Sequence, residues 1–305
     1  MLKRLYTPEE AALFLHLTLI PETAKVVALR AQLDPEITAK RLEEMVQKGL
    51  IYSLYPKGKP AKYQAFHYVC GIWEFQVNML NPEFAAEMGA YWPVFFNDKE
   101  WADAPQMRII PINKTVTVNH EVFSYEEAEK FITDQQIISV SNCICRQEEG
   151  FKGRKCARPE ETCIQFGPIA EFYIHRGAAR RISREEALQV LKLANEHRLV
   201  LQPSNSKEPG FICCCCSCCC AVLRCIKRYD NPSEIVHSAY TARVNEKDCS
   251  GCEVCIDRCQ MDAIEMNNGV ASVVANRCIG CGLCATTCST EAIRLYRKPE
   301  KQVKK

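Results

Sequence analysis

Over the first hundred residues the apolar positions recur at helical spacing. Pro8, Glu9 and Glu10 open one apolar stretch, and residues 21–33 give a second helix. Asp34 is placed to cap a third helix, which starts on Pro35, runs to Lys48 and stops at Gly49. The period then changes: residues 50–55 read as a strand, Pro56-Lys57-Gly58-Lys59-Pro60 as a turn and residues 63–69 as a return strand. Further on, the strands predicted at 107–112, 137–140 and 198–202 alternate with helical runs. Ser124 with Glu127 and Ser183 with Glu186 read as capping boxes ahead of two of those runs, and residues 203–210 as a loop. The pattern predicts a multidomain α+β chain: a helical head over 1–100, a central cysteine-rich α+β domain over 101–240 and a C-terminal domain over 241–305.

Three helices followed by a hairpin, over residues 1–70, resemble a winged helix-turn-helix. The third helix carries Lys40, Arg41 and Lys48 but also Glu36, Glu43 and Glu44, a net charge of zero. Lys57, Lys59 and Lys62 in the turn are the residues that would touch a phosphate backbone. Residues 1–140 hold 14 Lys+Arg against 18 Asp+Glu, so the balance argues for a protein-contact role and against nucleic acid as a partner.

Cysteine changes the picture most. The chain of 305 residues has 21, and only Cys70 precedes residue 143. A disulfide framework suits short exported chains, whereas this chain is long enough to build cores and shows no secretory signal or membrane span. A reducing cytoplasm and metal ligation are the expectation. Residues 141–245 hold 16 Lys+Arg against 11 Asp+Glu and twelve of the cysteines, a charge that suits anionic thiolate centres.

From residue 249 the chain repeats with a period of 29. Cys249, Cys252, Cys255 and Cys259 map onto Cys278, Cys281, Cys284 and Cys288, and Asp262-Ala263-Ile264 onto Glu291-Ala292-Ile293. Each half reads CxxCxxCxxxC, then a short helix and a strand. Residues 240–297 closely resemble the two-cluster bacterial-type ferredoxins. The resemblance implies one [4Fe–4S] cluster on Cys249, Cys252, Cys255 and Cys288, and another on Cys278, Cys281, Cys284 and Cys259. Ser250, Gly251, Gly280 and Gly282 leave room for amides to approach the sulfurs. Where that family has proline after each fourth cysteine, this chain has Gln260 and Ser289, which is expected to loosen the turn without removing a ligand. Two interleaved quartets favour iron–sulfur over a zinc site, which would use two CxxC pairs.

Upstream lie Cys143, Cys145, Cys156 and Cys163, then the run Cys213 to Cys216, Ser217, Cys218 to Cys220, and Cys225. Neighbours in an extended segment point to opposite faces, so they cannot all serve one ion. Alternate members reach a shared cluster, or two clusters flank the segment. Helix over residues 218–229 would put Cys218 and Cys225 on one face. The expectation is at least one further iron–sulfur cluster. Cys143, Cys145, Cys156 and Cys163 form the candidate quartet; Cys213, Cys215, Cys216, Cys218, Cys219 and Cys220 supply ligands to it or to a separate centre. Cys70 reads as a packing residue.

There is no G-x-G-x-x-G after a strand, no P-loop motif and no i, i+4 histidine pair among the six histidines. The leading reading is therefore an iron–sulfur electron-transfer protein, or a relay subunit of an anaerobic oxidoreductase, with a redox protein as partner and a homo-oligomer open. The alternatives are a redox-responsive regulator with a winged-helix head, and a reductase using a central cluster as its active site.

Overall fold

Two side-chain caps set the helices of the head. After a single turn, α1 (Leu2–Leu5), Thr7 Oγ1 accepts from the Glu10 amide at 3.2 Å and Glu10 Oε2 accepts from the Thr7 amide at 2.9 Å. This reciprocal pair starts α2 (Pro8–Phe14). Asp34 Oδ1 accepts from the amides of Glu36 and Ile37 and starts α4 (Pro35–Gln47), as the sequence predicts. Gly49, at φ +69°, ends that helix where a side chain would strike Phe75 O and Gln76. The second helix, α3 (Ala24–Ala31), is shorter than expected. Glu22–Thr23 (β1) is drawn into a sheet with β3 (Lys62–Gln64), and Gln32 takes a left-handed backbone. β2 (Tyr52–Leu54) pairs on the other side, giving the antiparallel order β1-β3-β2.

The return strand ends at Gln64 rather than residue 69. The Ala65 amide turns to Thr18 O, and the Phe66 ring packs on Tyr52 and Phe75. Tyr68–Ile72 then forms a kinked turn in which Cys70 is left-handed, at φ +54°. Such a backbone costs a residue with a Cβ about 1 kcal/mol or more. Helix α5 (Pro82–Phe95), capped by Asn81, follows.

The computed structural model describes residues 1–96, 106–112 and 128–299. The predicted Ser124–Glu127 cap lies outside them. Residues 107–112 form no continuous strand; they make isolated bridges from Met107, Arg108 and Ile110 to Ser204, His237 and Leu201. The central layer is one antiparallel sheet of order β6-β4-β5-β8-β7, built from β4 (Ile138–Asn142), β5 (Glu161–Phe166), β6 (Arg180–Arg181), β7 (Val200–Pro203) and β8 (Phe211–Cys215). With it are α6 (Ala128–Thr133), α7 (Ile144–Phe151), α8 (Gly167–His175) and α9 (Arg184–Glu196). Ser183 caps α9 through the Glu186 amide at 3.2 Å, but the Glu186 carboxylate pairs with Arg180 instead of closing the box. Head and sheet share a core: the Phe75 and Phe172 rings lie 4.6 Å apart, and Glu43 of α4 meets His175 Nε2 at 2.7 Å.

The C-terminal part runs α10 (Ala221–Lys227), α11 (Pro232–Ile235), β9 (Tyr240–Val244), α12 (Val254–Arg258), β10 (Ile264–Asn267), β11 (Val270–Val273) and β12 (Ile293–Arg297). β9 pairs with β12. β10 and β11 form a hairpin through Asn268-Gly269, both at positive φ, the turn that suits strand twist. The helix expected after each fourth cysteine is not there. Cys259 instead follows α12, and the chain after each fourth cysteine turns through a left-handed residue, Asp262 or Glu291. Those two lie 29 residues apart, so the repeat extends to the backbone. Among the described residues no helix is long and apolar enough to cross a membrane.

Candidate metal centres

In the C-terminal part, cysteines from the two halves of the repeat lie near one another. Cys278, Cys281 and Cys284 come from one loop, and Cys259, from the other half of the repeat, faces them. Burial pushes the Cys284 thiol up, and the charges of Cys281, Cys278 and Cys259 push it further. Cys281 is likewise pushed up to about 12 by burial, with Cys259 and Cys278 adding. Backbone amides aim at the sulfurs: Ala263 N donates to Cys259 Sγ at 3.2 Å, Ala242 N to Cys278 Sγ at 3.3 Å and Ala271 N to Cys249 Sγ at 3.4 Å. Gly251 has no room for a side chain, since a Cβ would sit 2.5 Å from Gly269 O; at Gly280 it would collide with Tyr240 O. Converging soft donors, amides aimed at sulfur and tight glycine loops all fit a cubane. Residues 271–294 match the 4Fe-4S binding domain family. That domain covers Cys278, Cys281, Cys284 and Cys288, and the 249–259 half shares its cysteine spacing. No curated protein and no solved structure matches the chain.

Gln260 does not loosen the 4Fe-4S region; it anchors it. Its Oε1 accepts from Ser217 N at 2.9 Å and Ser217 Oγ at 2.8 Å, while Nε2 donates to Arg198 O at 2.8 Å. A proline there would make none of these bonds. Arg258 adds a second tie, reaching Leu283 O, Thr286 Oγ1 and Asn195 Oδ1. Gln260→Ala should leave the half-buried Ser217 amide and hydroxyl without their protein partner and lower stability by about 1 kcal/mol. Thermal melting of the anaerobic protein should show a lower Tm with the iron content kept.

Ser217 is the one non-cysteine of the run, and around it the chain makes a knuckle. The Cys219 and Cys220 amides fold back to Cys216 O at 3.3 and 2.9 Å. Helix therefore begins only at Ala221, not at residue 218, and Cys225 stands apart, near Phe96 O. Cys216, Cys218 and Cys219 join Cys156 in a group whose four sulfurs all lie within 4.8 Å of one another. Hydrogen bonds from Cys218 and Cys219 hold Cys216 well below the ordinary thiol range, with the Arg146 charge helping. Arg158 reaches Cys218 Sγ at 3.1 Å.

Arg146 is the test of what these sulfurs are. It is 1% exposed, bonds Thr162 Oγ1, Cys214 O (3.0 Å) and Cys216 Sγ (3.8 Å), and leaves Nε without a partner. No carboxylate pairs with it among the described residues. Burial opposes its charge, yet Cys143, Cys216 and Cys215 hold it protonated. A buried cation without a counter-charge would be costly, so the thiolates of Cys216 and Cys215, both held below the ordinary thiol range, are its natural partners, whereas the Cys143 thiol is pushed up. Thiolate is also the form that binds a metal.

The quartet expected from sequence is split. Cys156 lies beyond α7 and the left-handed Gly153, which carry it to the knuckle. Cys143 and Cys145, at the start of α7, and Cys163 on β5 stay on the other side, beside a cavity of about 90 Å³. Cys163 stands opposite Cys213 across the sheet, sulfurs 3.5 Å apart. The run divides at the end of β8, not by strand alternation: Cys213, Cys214 and Cys215, with Cys220, border the cavity, and Cys216, Cys218 and Cys219, beyond the strand, join the knuckle. Cys70 lines that cavity too. As a lone cysteine 73 residues ahead of the next, it carried no spacing signal.

Proposed function

We propose that the chain is an iron–sulfur electron-transfer protein that carries two [4Fe–4S] clusters at its C-terminus and a metal–thiolate centre at the knuckle. Cys249, Cys252, Cys255 and Cys288 would hold one cluster; Cys278, Cys281, Cys284 and Cys259 the other. When bound, such clusters supply one-electron transfer. The chain's own residues do the rest: the Ala242, Ala263 and Ala271 amides favour the more anionic state at sulfur, and Arg146 and Arg158 balance thiolate charge at the knuckle.

One observation carries the relay. Gln260, next to Cys259, is hydrogen-bonded to Ser217, which lies between Cys216 and Cys218. The turn of one centre thus abuts the knuckle of the next. Cys252 is exposed and marks the outer end, where a redox protein partner would dock. The head, with its β1-β3-β2 sheet, supports a winged-helix-like module used for protein contact, because Glu43 of α4 is already engaged with His175, Tyr55 and Gln47. We place the protein in the cytoplasm of an anaerobic cell.

Anaerobic mixing with reduced methyl viologen, followed by an oxidising dye, tests the reading. The iron–sulfur absorbance should bleach and recover stoichiometrically; a protein that takes up no electrons contradicts it. Duplex DNA should bind no tighter than nonspecifically at physiological salt, and specific affinity of about 10 nM would favour the regulator instead. A second reading of the knuckle rests on its spacing. Sulfurs within 4.8 Å suit one tetrahedral ion, zinc as well as iron, so elemental analysis decides whether the knuckle conducts or only braces.

A further inference from the structure

The cavity beside the sheet has a wall of thiols. Cys143, Cys145, Cys163, Cys213, Cys215 and Cys220 all line it, and the sulfurs of Cys163 and Cys213 stand 3.5 Å apart. These six, from β5, β8 and the starts of α7 and α10, form a string of thiols along one wall. The opposite wall comes from the head and α8: Phe66, Phe75 and Tyr173, with Cys70 and Glu74 between them.

We propose that this cavity holds a polynuclear iron–sulfur cluster of its own, bound by thiols of the string and distinct from the knuckle. Three observations carry it. The string is too extended for one ion, since the knuckle alone, among the described residues, brings three or more metal-ligating groups within 4.8 Å of one another. Ligands spread round a volume suit a cluster, in which each thiolate binds a different metal atom. The space itself, about 90 Å³ against the roughly 15 Å³ one water needs, is lined mainly by apolar and thiol side chains, with Glu74, Ser141, Asn142 and Thr162 as the polar members. Soft thiolates select iron–sulfur over hard cations. Finally, Cys70 is held there in a left-handed backbone, a strain of the kind that clusters at functional sites. Arg146, between string and knuckle, faces Cys143 and Cys215 as well as Cys216, so its charge serves both.

The inference goes beyond the electron-transfer reading and needs neither ferredoxin quartet. Iron and sulfide are counted on full-length anaerobic protein, together with the native mass of the wild type. The double variant Cys213→Ser, Cys215→Ser removes ligands, and Val222→Phe fills the cavity while leaving every thiol. Each should lose about four iron and four sulfide per chain, with the electron-paramagnetic signals of the C-terminal clusters unchanged. The wild-type mass should exceed the protein, two cubanes and one knuckle metal by a further cluster. Unchanged iron and sulfide in both variants overturns the proposal. So does a native mass with all six thiols free or paired as disulfides, and that outcome would leave the C-terminal electron carrier standing. If a variant also loses the C-terminal signals through misfolding, the wild-type mass alone decides.

Discussion

Replacing Cys259 by alanine should abolish the cluster of the opposite loop. Cys259 belongs by sequence to the 249–259 half, but its sulfur faces Cys278, Cys281 and Cys284. Its Sγ also takes the Ala263 amide at 3.2 Å, so the turn presents it in that direction. The variant should lose one of the two C-terminal cubanes, about four iron per chain or a three-iron remnant, while the signal of the Cys249, Cys252 and Cys255 loop persists. Cys288→Ala should do the reverse. Mössbauer spectra of the two variants, each labelled with iron-57, distinguish the patterns. Loss from the mutated cysteine's own loop, with the other intact, would refute the crossing.

The second large effect is expected at Arg146. Its guanidinium is buried, reaches Cys216 and faces the thiols of Cys143 and Cys215. Arg146→Met keeps the volume and removes the charge. Breaking one side of a buried ion pair typically costs about 3–5 kcal/mol, because the other side stays charged in a poor solvent. Here the thiolates can relieve that cost by taking up protons, and protonated thiols release metal. Elemental analysis of Arg146→Met should show the knuckle metal gone and the C-terminal iron kept. Arg146→Lys should retain part of it. Full metal content in the methionine variant would make Arg146 a packing residue.

The repeat was legible because ligand spacing is local. Three cysteines in one loop and a fourth four residues on need no knowledge of the fold, and the left-handed Asp262 and Glu291 repeat with them. Helix α4 was legible for the same reason, since its cap, first-turn proline and terminal glycine are adjacent in sequence. What the sequence hid is set by chain crossings. Cys156 and Cys163 are seven apart, yet α7, the Gly153 turn and β5 send the first to the knuckle and the second to the cavity wall. Cys70 meets the central cysteines only because the head packs its Phe75 on Phe172. Gln260 stands where the two-cluster ferredoxins have proline, and its use appears only when Ser217 is brought against it from 43 residues upstream. That serine, interrupting a run of cysteines, was the available signal: a polar residue kept among ligands asks for a partner.

The central claim, that the chain carries electrons on paired cubanes, is tested most directly by a reductive titration of full-length anaerobic protein followed by low-temperature electron paramagnetic resonance. The account predicts at least two electrons taken up per chain, as roughly one per cubane, with spectra broadened by coupling between two neighbouring reduced clusters. A protein that accepts no electrons, or that shows a single uncoupled cluster at full iron loading, would contradict it.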